Sequence, residues 1–397
     1  MPACIFITDP HRRVLGGHPW IFDSQVLRSE GDFEAGDVVE VVDVKKGPIG
    51  QGFINPKSLI RVRLLTRSMD VRVDEGFIRH RVRAAWQHRQ RLGYTGSCRV
   101  VFGESDGLPA LIVDKFNNAD APEECVLSLQ MLALGMERWK EVVADELRLL
   151  FKPRGIYERN DVAVREKEGL AQHKGPLGAE FNTRLVINEN GLRMDVDVAT
   201  GQKTGHFLDQ VRNHAAIAPC VADARVLDCF THTGGFALHA AQYGAREVLG
   251  LDISEDAVAL ATRNAKLNGL QERCTFQAAN VFDFLTNASR NNKLWDVIVL
   301  DPPAFAKSKS ALENAVRGYK EINLRALKCL HTGGFLVTCS CSFHMAPELF
   351  RKTIADAARD AGKQLREVYS AGQPPDHPVL WGAPETHYLK CHIVQVV

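Results

Sequence analysis

The stretch Val226 to Gly235, VLDCFTHTGG, constrains this chain more than any other. An apolar strand, Ala224 to Asp228, runs into a short polar turn and a glycine pair, Gly234-Gly235. FALHAAQYG then reads as a helix that stops at Gly244. A strand, a tight turn and a helix N-terminus form a ligand cradle. Glycine lets the backbone approach a bound group, and the unsatisfied N–H groups of the first helical turn attract negative or polar atoms. The next strand, EVLGLDIS, ends in Asp252, where a carboxylate can grip ribose hydroxyls.

The same alternation continues to the C-terminus. Strands are expected at 224–228, 247–252, 274–279, 296–300 and 335–341, with helices at 235–243, 254–267, 312–329 and 347–361 between them. This order predicts right-handed crossovers and an α/β, doubly wound, Rossmann-like parallel sheet, with its ligand crevice beyond the C-terminal strand ends. Candidate residues cluster at that edge: Asp228, Thr233, Gly234 and Gly235 after the first strand, Asp252 after the second, Asn280 after the third, Asp301-Pro302-Pro303 after the fourth and Cys341 after the fifth. A hairpin with its turn at Asn190-Gly191 precedes the sheet. It leads into TGQKTGHFLDQVRNH, too dense in polar and glycine residues for a plain loop, and Lys203 and Phe207 of this stretch are assigned to the cofactor's surroundings.

The N-terminal half reads differently. Residues 1–70 are short strands and turns, with HPWIF at His18 to Phe22 and turn signals at Gly31-Asp32, Lys46-Gly47-Pro48 and Asn55-Pro56, which suggests a small β-barrel. Residues 75–92 read as a helix stopped by Gly93, whose Ile78, Val82 and Trp86 form an apolar stripe suited to core packing rather than base stacking. Residues 98–182 read as α+β, with a turn at Asp106 to Pro109 and a helix from about Met131 to Phe151. They carry no catalytic signature.

Net charge is only +1, but residues 59–99 hold 10 Lys+Arg against 3 Asp+Glu. Such a stretch is either a solvated face or a phosphate-binding surface. On the second reading Arg61 and Arg63, which share a strand face, and Arg79 and Arg83 on the helix contact RNA. No charged segment leads into an apolar run at the N-terminus, and the longest apolar stretch, VLSLQMLALGM, is too short to span a bilayer. Ten cysteines without a CxxC pair indicate neither a disulfide framework nor a zinc ribbon. A reducing cytoplasm is the expected compartment, with no membrane association.

The nucleoside ligand could be a dinucleotide or S-adenosylmethionine. A dinucleotide needs GxGxxG, because its pyrophosphate lies against the helix N-terminus. DCFTHTGG lacks that pattern. S-adenosylmethionine has ribose and adenine but no phosphate. Asp252 would accept its ribose hydroxyls, Asn280 its adenine amino group, and the helix N-terminus at Gly235 would favour its carboxylate. DPPAF is a stiff turn that projects the Asp301 carboxylate into the crevice. By itself such a turn does not name the atom methylated. In TCSCS, Cys339 and Cys341 would share one face of an extended strand, Cys339 as a small core residue and Cys341 at the crevice end. A thiolate matters for one chemistry in particular. C5 of a pyrimidine becomes nucleophilic only once sulfur adds to C6, whereas nitrogen methylation needs no such nucleophile. No metal site is expected.

Several motifs together resemble the ribosomal RNA large subunit methyltransferase I family: HPWIF, TGQKTGHFLDQVRN, VLDCFTHTGGF, LDISEDAVALATRNAKLNGL, DVIVLDPPAFAKSK, the SCS of 340–342, DHPV at 376–379 and YLK at 388–390. The resemblance spans nearly the whole chain. It implies an N-terminal PUA RNA-binding domain over 1–74, a central α+β domain over 75–183 and an S-adenosylmethionine-dependent methyltransferase domain over 184–397. It further implies methylation of C5 of a cytosine in 23S rRNA, with Cys341 as nucleophile and Asp301 as the DPP acid, acting on 23S rRNA or a large-subunit assembly intermediate. A homodimer is open to it. His232 stands where the family commonly has tyrosine, and Cys339 adds a second thiol. Two alternatives from the residues themselves stay open: methylation of a guanine nitrogen without Cys341, and a non-catalytic RNA-binding assembly factor. A nicotinamide dehydrogenase is the weakest.

Overall fold

The computed structural model describes residues 3–9, 12–306 and 308–397; Lys307, within the DPPAFAKSK motif, lies outside them. The chain forms two compact units. The first comprises residues 1–187, 196–208 and 375–386, and the second comprises 188–195, 209–374 and 387–397.

The first unit contains two sheets. Six short strands pair in the order Trp20–Phe22, Ile60–Thr66, Gly47–Ile54, Val38–Asp43, Cys4–Ile7, Val26–Glu30. Period-two burial puts Ile5, Ile7, Val39, Val41, Val62 and Leu64 in one core. Five strands form the second sheet, in the order His173–Pro176, Gly155–Asn160, Cys125–Met131, Leu111–Asn117, Cys98–Phe102. The helix Glu75–Arg91, capped by Asp74, lays Ile78 and Val82 into its core. Trp86 packs edge-on against Phe151 at 4.9 Å, as a core ring. The helix expected from about Met131 is instead a single turn at Leu134–Glu137 followed by the helix Lys140–Phe151, because VLSLQM is a central strand. DHPV proves structural: the Asp376 carboxylate accepts from the Arg99 amide at 2.9 Å, and the Asp376 carbonyl from the buried Arg89 guanidinium at 2.7 Å.

The second unit carries the sheet that the glycine turn implies. Its elements are β1 (Arg225–Cys229), α1 (Gly235–Gln242), β2 (Glu247–Asp252), α2 (Glu255–Leu267), β3 (Cys274–Ala278), α3 (Val281–Arg290), β4 (Trp295–Leu300), α4 (Leu312–Lys328), β5 (Leu330–Ser340), α5 (Pro347–Asp360), β6 (Leu365–Ala371) and β7 (Lys390–Val396). The strand order is β3-β2-β1-β4-β5-β7-β6. The first five strands run parallel, and β7 is antiparallel to both β5 and β6. The central strands β1 and β4 are apolar runs buried on both faces, whereas the edge strand β3 is largely exposed. Sequence periodicity leaves out α3, a ten-residue helix capped by Asn280. The Asn190-Gly191 turn has the two positive φ values, 51° and 89°, that a tight two-residue hairpin demands. No helix among the described residues is long and apolar enough to cross a membrane.

Candidate active site

Strand register brings the candidate residues to one edge. Cys229 lies opposite Leu251 and Leu300, Asp252 opposite Ala278, and Leu300 opposite Thr338. The turn 230–235, Asp252 and Asp301 therefore leave the sheet at one level, and Asn280 and Cys341 follow at the same edge, each two residues beyond the position level with them.

The turn is built on three left-handed residues, Phe230, His232 and Gly234, with φ of 65°, 50° and 92°. For the two that carry a Cβ this conformation costs about 1–2 kcal/mol each. It persists because its surroundings over-determine it. The Thr231 amide donates to the Leu251 carbonyl at 2.8 Å, the His232 amide to Asp252 Oδ2 at 2.9 Å, and Asn264 Nδ2 to the Thr233 carbonyl at 3.0 Å.

Asp228, expected against the cofactor, instead works on the turn. It lies inside β1 and is 1% exposed, and its Oδ2 accepts from the Thr231 hydroxyl at 2.6 Å and the Ala237 amide at 3.0 Å. Burial pushes its carboxyl up to about 7; those two hydrogen bonds oppose the shift and the Asp301 charge adds to it. Its Oδ1 is buried without a partner. Gly235 is also explained from within. A Cβ there would stand 2.7 Å from the ring of His214, which is held by Glu189 at 2.6 Å. Glu189 and His214 meet His239 in a buried group. Against the pull of burial, the Glu189 charge and hydrogen bond raise the His214 pKa. This group packs as hydrogen-bonded filling beneath α1, with His239 Nδ1 on the Gly235 carbonyl at 2.7 Å.

Asp252 presents its carboxylate at the end of β2. Oδ2 takes the His232 amide and Oδ1 the Ser254 amide at 3.0 Å, and each oxygen keeps a second lone pair for a hydroxyl donor. Beside it Ile253 is 77% exposed, an apolar surface next to the carboxylate that the sequence reading passed over although LDIS displays it. Asn280 departs from its expected role as acceptor. Its Oδ1 caps α3 on the Phe282 amide at 2.9 Å, so Nδ2 is the group it can offer a base. Asp301 Oδ2 accepts from Gln210 Nε2 at 2.9 Å. Gln210 Oε1 accepts from Asn213 Nδ2 at 2.7 Å, and Asn213 Oδ1 from the Tyr369 hydroxyl at 3.1 Å. This buried relay fixes which way the Gln210 amide faces, and sequence spacing gave no hint of it.

The two thiols separate. β5 ends at Ser340, so strand alternation does not extend to Cys341. Cys339 is 0% exposed opposite Cys391, and burial pushes its thiol well above the ordinary range. Cys341 is half-buried just past the strand end. The cradle suits S-adenosylmethionine: a carboxylate at the second strand end, an exposed apolar residue beside it, and a helix N-terminus behind a close-packed glycine turn.

Lys203 and Phe207 fall in the first compact unit, where the Lys203 ammonium lies 4.2 Å from the centre of the Phe207 ring. The arginine candidates need correction. Arg63 is 10% exposed, bridging Glu104 at 3.1 Å and Glu168 at 3.0 Å, and so forms a buried ion-pair cluster rather than a phosphate contact. Arg61 pairs with Asp23, Arg79 lies 3.7 Å from Glu146, and Arg83 forms a bidentate pair with Glu146. Only Arg83 keeps about half of its side chain in solvent. The local charge count overlooked these acids because most of them lie far along the chain.

Residues 9–67 match the PUA-like domain family, and residues 175–389 match the S-adenosylmethionine-dependent methyltransferase family. Proteins named ribosomal RNA large subunit methyltransferase I align nearly end to end. The one from Cronobacter sakazakii is 39% identical, covering 96% of this chain and 97% of its own, and the one from Tolumonas auensis is 40% identical, covering 98% of each. Among solved structures, a methyltransferase complexed with SAH shares the fold at a TM-score of 0.83 and 19% identity, over 99% of this chain and 100% of that one. An S-adenosylmethionine-dependent methyltransferase from Streptococcus mutans does so at 0.81 and 18%, with the same coverage. The chain belongs to the ribosomal RNA large subunit methyltransferase I family, with a PUA-like N-terminal domain and an S-adenosylmethionine-dependent methyltransferase domain.

Proposed function

We propose that this protein methylates C5 of a cytosine in 23S rRNA through a covalent adduct on Cys341. The names of its relatives support ribosomal RNA as substrate. The observation that carries the reading of the reaction is the contrast between the thiols: Cys339 is sealed in the sheet, whereas Cys341 reaches solvent one residue past β5 on the edge that holds Asp301.

S-adenosylmethionine, when bound, supplies an electrophilic methyl group. Asp252 would hold its ribose, with Ile253 against the base and the amides of the α1 N-terminus near its carboxylate. The chain's own residues do the rest. The Cys341 thiolate forms a bond to C6 of a flipped or single-stranded cytosine, and the displaced π pair makes C5 nucleophilic. Asp301, held by Gln210, fixes the base around N3 and the exocyclic amine. After C5 takes the methyl group and loses its proton to a base, the C6–S bond breaks and the thiolate returns. We assign residues 1–74 to gripping RNA by shape and phosphate, 75–183 to the central domain and 184–397 to catalysis, with 23S rRNA or an assembling large subunit as partner and the cytoplasm as compartment.

The test uses RNA with 5-fluorocytosine at the target. Fluorine replaces the proton that must leave, so wild type and Cys339→Ala form a denaturation-resistant adduct, while Cys341→Ala forms none and loses methylation. Cys341→Ala protein that binds cofactor normally and still makes 5-methylcytosine refutes the mechanism. A product methylated on a guanine nitrogen replaces it with the alternative that relies on Asp301.

A further inference from the structure

The YLK motif at 388–390 places a buried cation, Lys390, beside the reactive edge. Lys390 opens β7 and lies opposite Ser340, the last residue of β5. Its side chain is 4% exposed. Nζ donates to the Ser342 carbonyl at 2.6 Å and to the Tyr388 carbonyl at 2.8 Å. These two bonds use two of its three donors and anchor it to the residue that follows Cys341. A buried ammonium is ordinarily matched by a carboxylate. Among the described residues none is within ion-pair distance of Lys390.

Nζ is held by the carbonyl of the residue directly after Cys341, so a thiolate at Cys341 would answer its charge. Burial pushes the Lys390 ammonium down to about 8, and the negative charge of Cys341 opposes that push. Such coupling is mutual: a thiolate that favours the ammonium is favoured by it to the same degree. Lys390 thus remains mainly cationic at neutral pH while its solvation by water is largely removed, the setting in which a nearby thiolate gains most.

We propose that Lys390 is a positioning residue that holds Cys341 as the thiolate, supplying the counter-charge from a site fixed by the Ser342 and Tyr388 carbonyls. The thiol proton leaves to water, and Lys390 keeps its own three protons and enters no bond. This deepens the reading of Cys341 as nucleophile and rests on it.

The test reads the thiol directly. Full-length protein is alkylated with iodoacetamide across a pH series, and Cys341 is followed by peptide mass spectrometry, with partly exposed Cys220 as internal control. In wild type the midpoint of Cys341 alkylation falls below the ordinary thiol value of about 8.5. In Lys390→Gln, which can still donate to both carbonyls, alkylation at about pH 7 slows by roughly tenfold and recovers at high pH, while Cys220 is unchanged; Lys390→Arg restores the wild-type profile. A wild-type midpoint at or above the ordinary value overturns the proposal whether or not a variant folds. So does an identical Cys341 profile in folded Lys390→Gln. The nucleophile reading fails separately: Cys341→Ala protein that still methylates C5 removes it, while the alkylation shift would leave the Lys390–Cys341 pairing standing.

Discussion

Replacing Asp228 by asparagine separates a carboxylate that shapes the turn from one that meets the cofactor. Asp228 is sealed inside β1, and its carboxyl is pushed from an ordinary 3.8 to about 7. The folded state therefore binds a proton that the unfolded chain has already lost. Stability contributed at this site is intact below the unfolded pKa and falls as pH rises towards the folded one. The full span corresponds to about 4 kcal/mol, and the part lost between pH 5 and 8 to about 2–3 kcal/mol. Asparagine keeps an oxygen for Thr231 and Ala237 and does not titrate, so it carries no such loss. Any cost of burying its amide where Oδ1 has no partner is the same at both pH values. Calorimetric unfolding of wild type and Asp228→Asn at pH 5 and pH 8 reads the difference. The variant should gain on wild type by roughly 5–10 °C between the two pH values for a unit of this size. S-adenosylmethionine affinity should stay within a few-fold. An equal stability difference at both pH values refutes the titration argument, and a hundredfold loss of affinity at unchanged stability returns Asp228 to the cofactor site.

Asp252→Ala should weaken S-adenosylmethionine binding by about 2–4 kcal/mol in titration calorimetry, through the loss of charge-assisted hydrogen bonds to ribose; unchanged affinity removes the ribose assignment. Gly235→Ala should destabilise the fold by about 1–3 kcal/mol, since the new methyl meets the His214 ring; a stable variant with only weaker cofactor binding would show that the ligand, not His214, requires the glycine. Arg63→Met should cost about 3–5 kcal/mol of stability by stranding Glu104 and Glu168, whereas Arg83→Ala, which takes the bidentate partner from buried Glu146 but leaves Arg79 3.7 Å from it, should cost less stability and flatten the salt dependence of RNA affinity. If the two arginines behave alike in both assays, burial does not divide their roles.

The parts of the fold legible in the sequence are those whose signal is local. β1, its turn and α1 announce themselves through an apolar run, a glycine pair and a stop at Gly244, and the parallel order follows from alternation alone. The helix Glu75–Arg91 shows its stripe and its stop at Gly93. Signals of mixed period were read less well. VLSLQM lies in a sheet buried from both sides, so its period-two pattern is erased and it merges with the helix that follows. α3 is short, and its cap Asn280 sits where a ligand contact was also expected, so one residue carried two meanings.

The candidate site divides along the same physical line. Groups that end strands, Asp252, Asp301 and Cys341, are visible because topology puts every parallel strand end on one edge. Groups that set their charge and orientation come from elsewhere in the chain. Gln210 reaches Asp301 across 91 residues, and Lys390 reaches the Ser342 carbonyl across 48. Burial then decides the role of otherwise similar residues. Asp228 and Asp252 both follow apolar runs near strand ends, yet one lies inside β1, sealed and pushed toward neutrality, while the other ends β2 and keeps lone pairs at the surface. Cys339 and Cys341 differ by two residues, but the end of β5 falls between them. Arg63 and Arg83 belong to one basic stretch, and distant glutamates bury the first and leave the second half in solvent. Residue type and spacing propose the chemistry at this edge, and partners remote in sequence determine which copy of each residue type is placed to perform it.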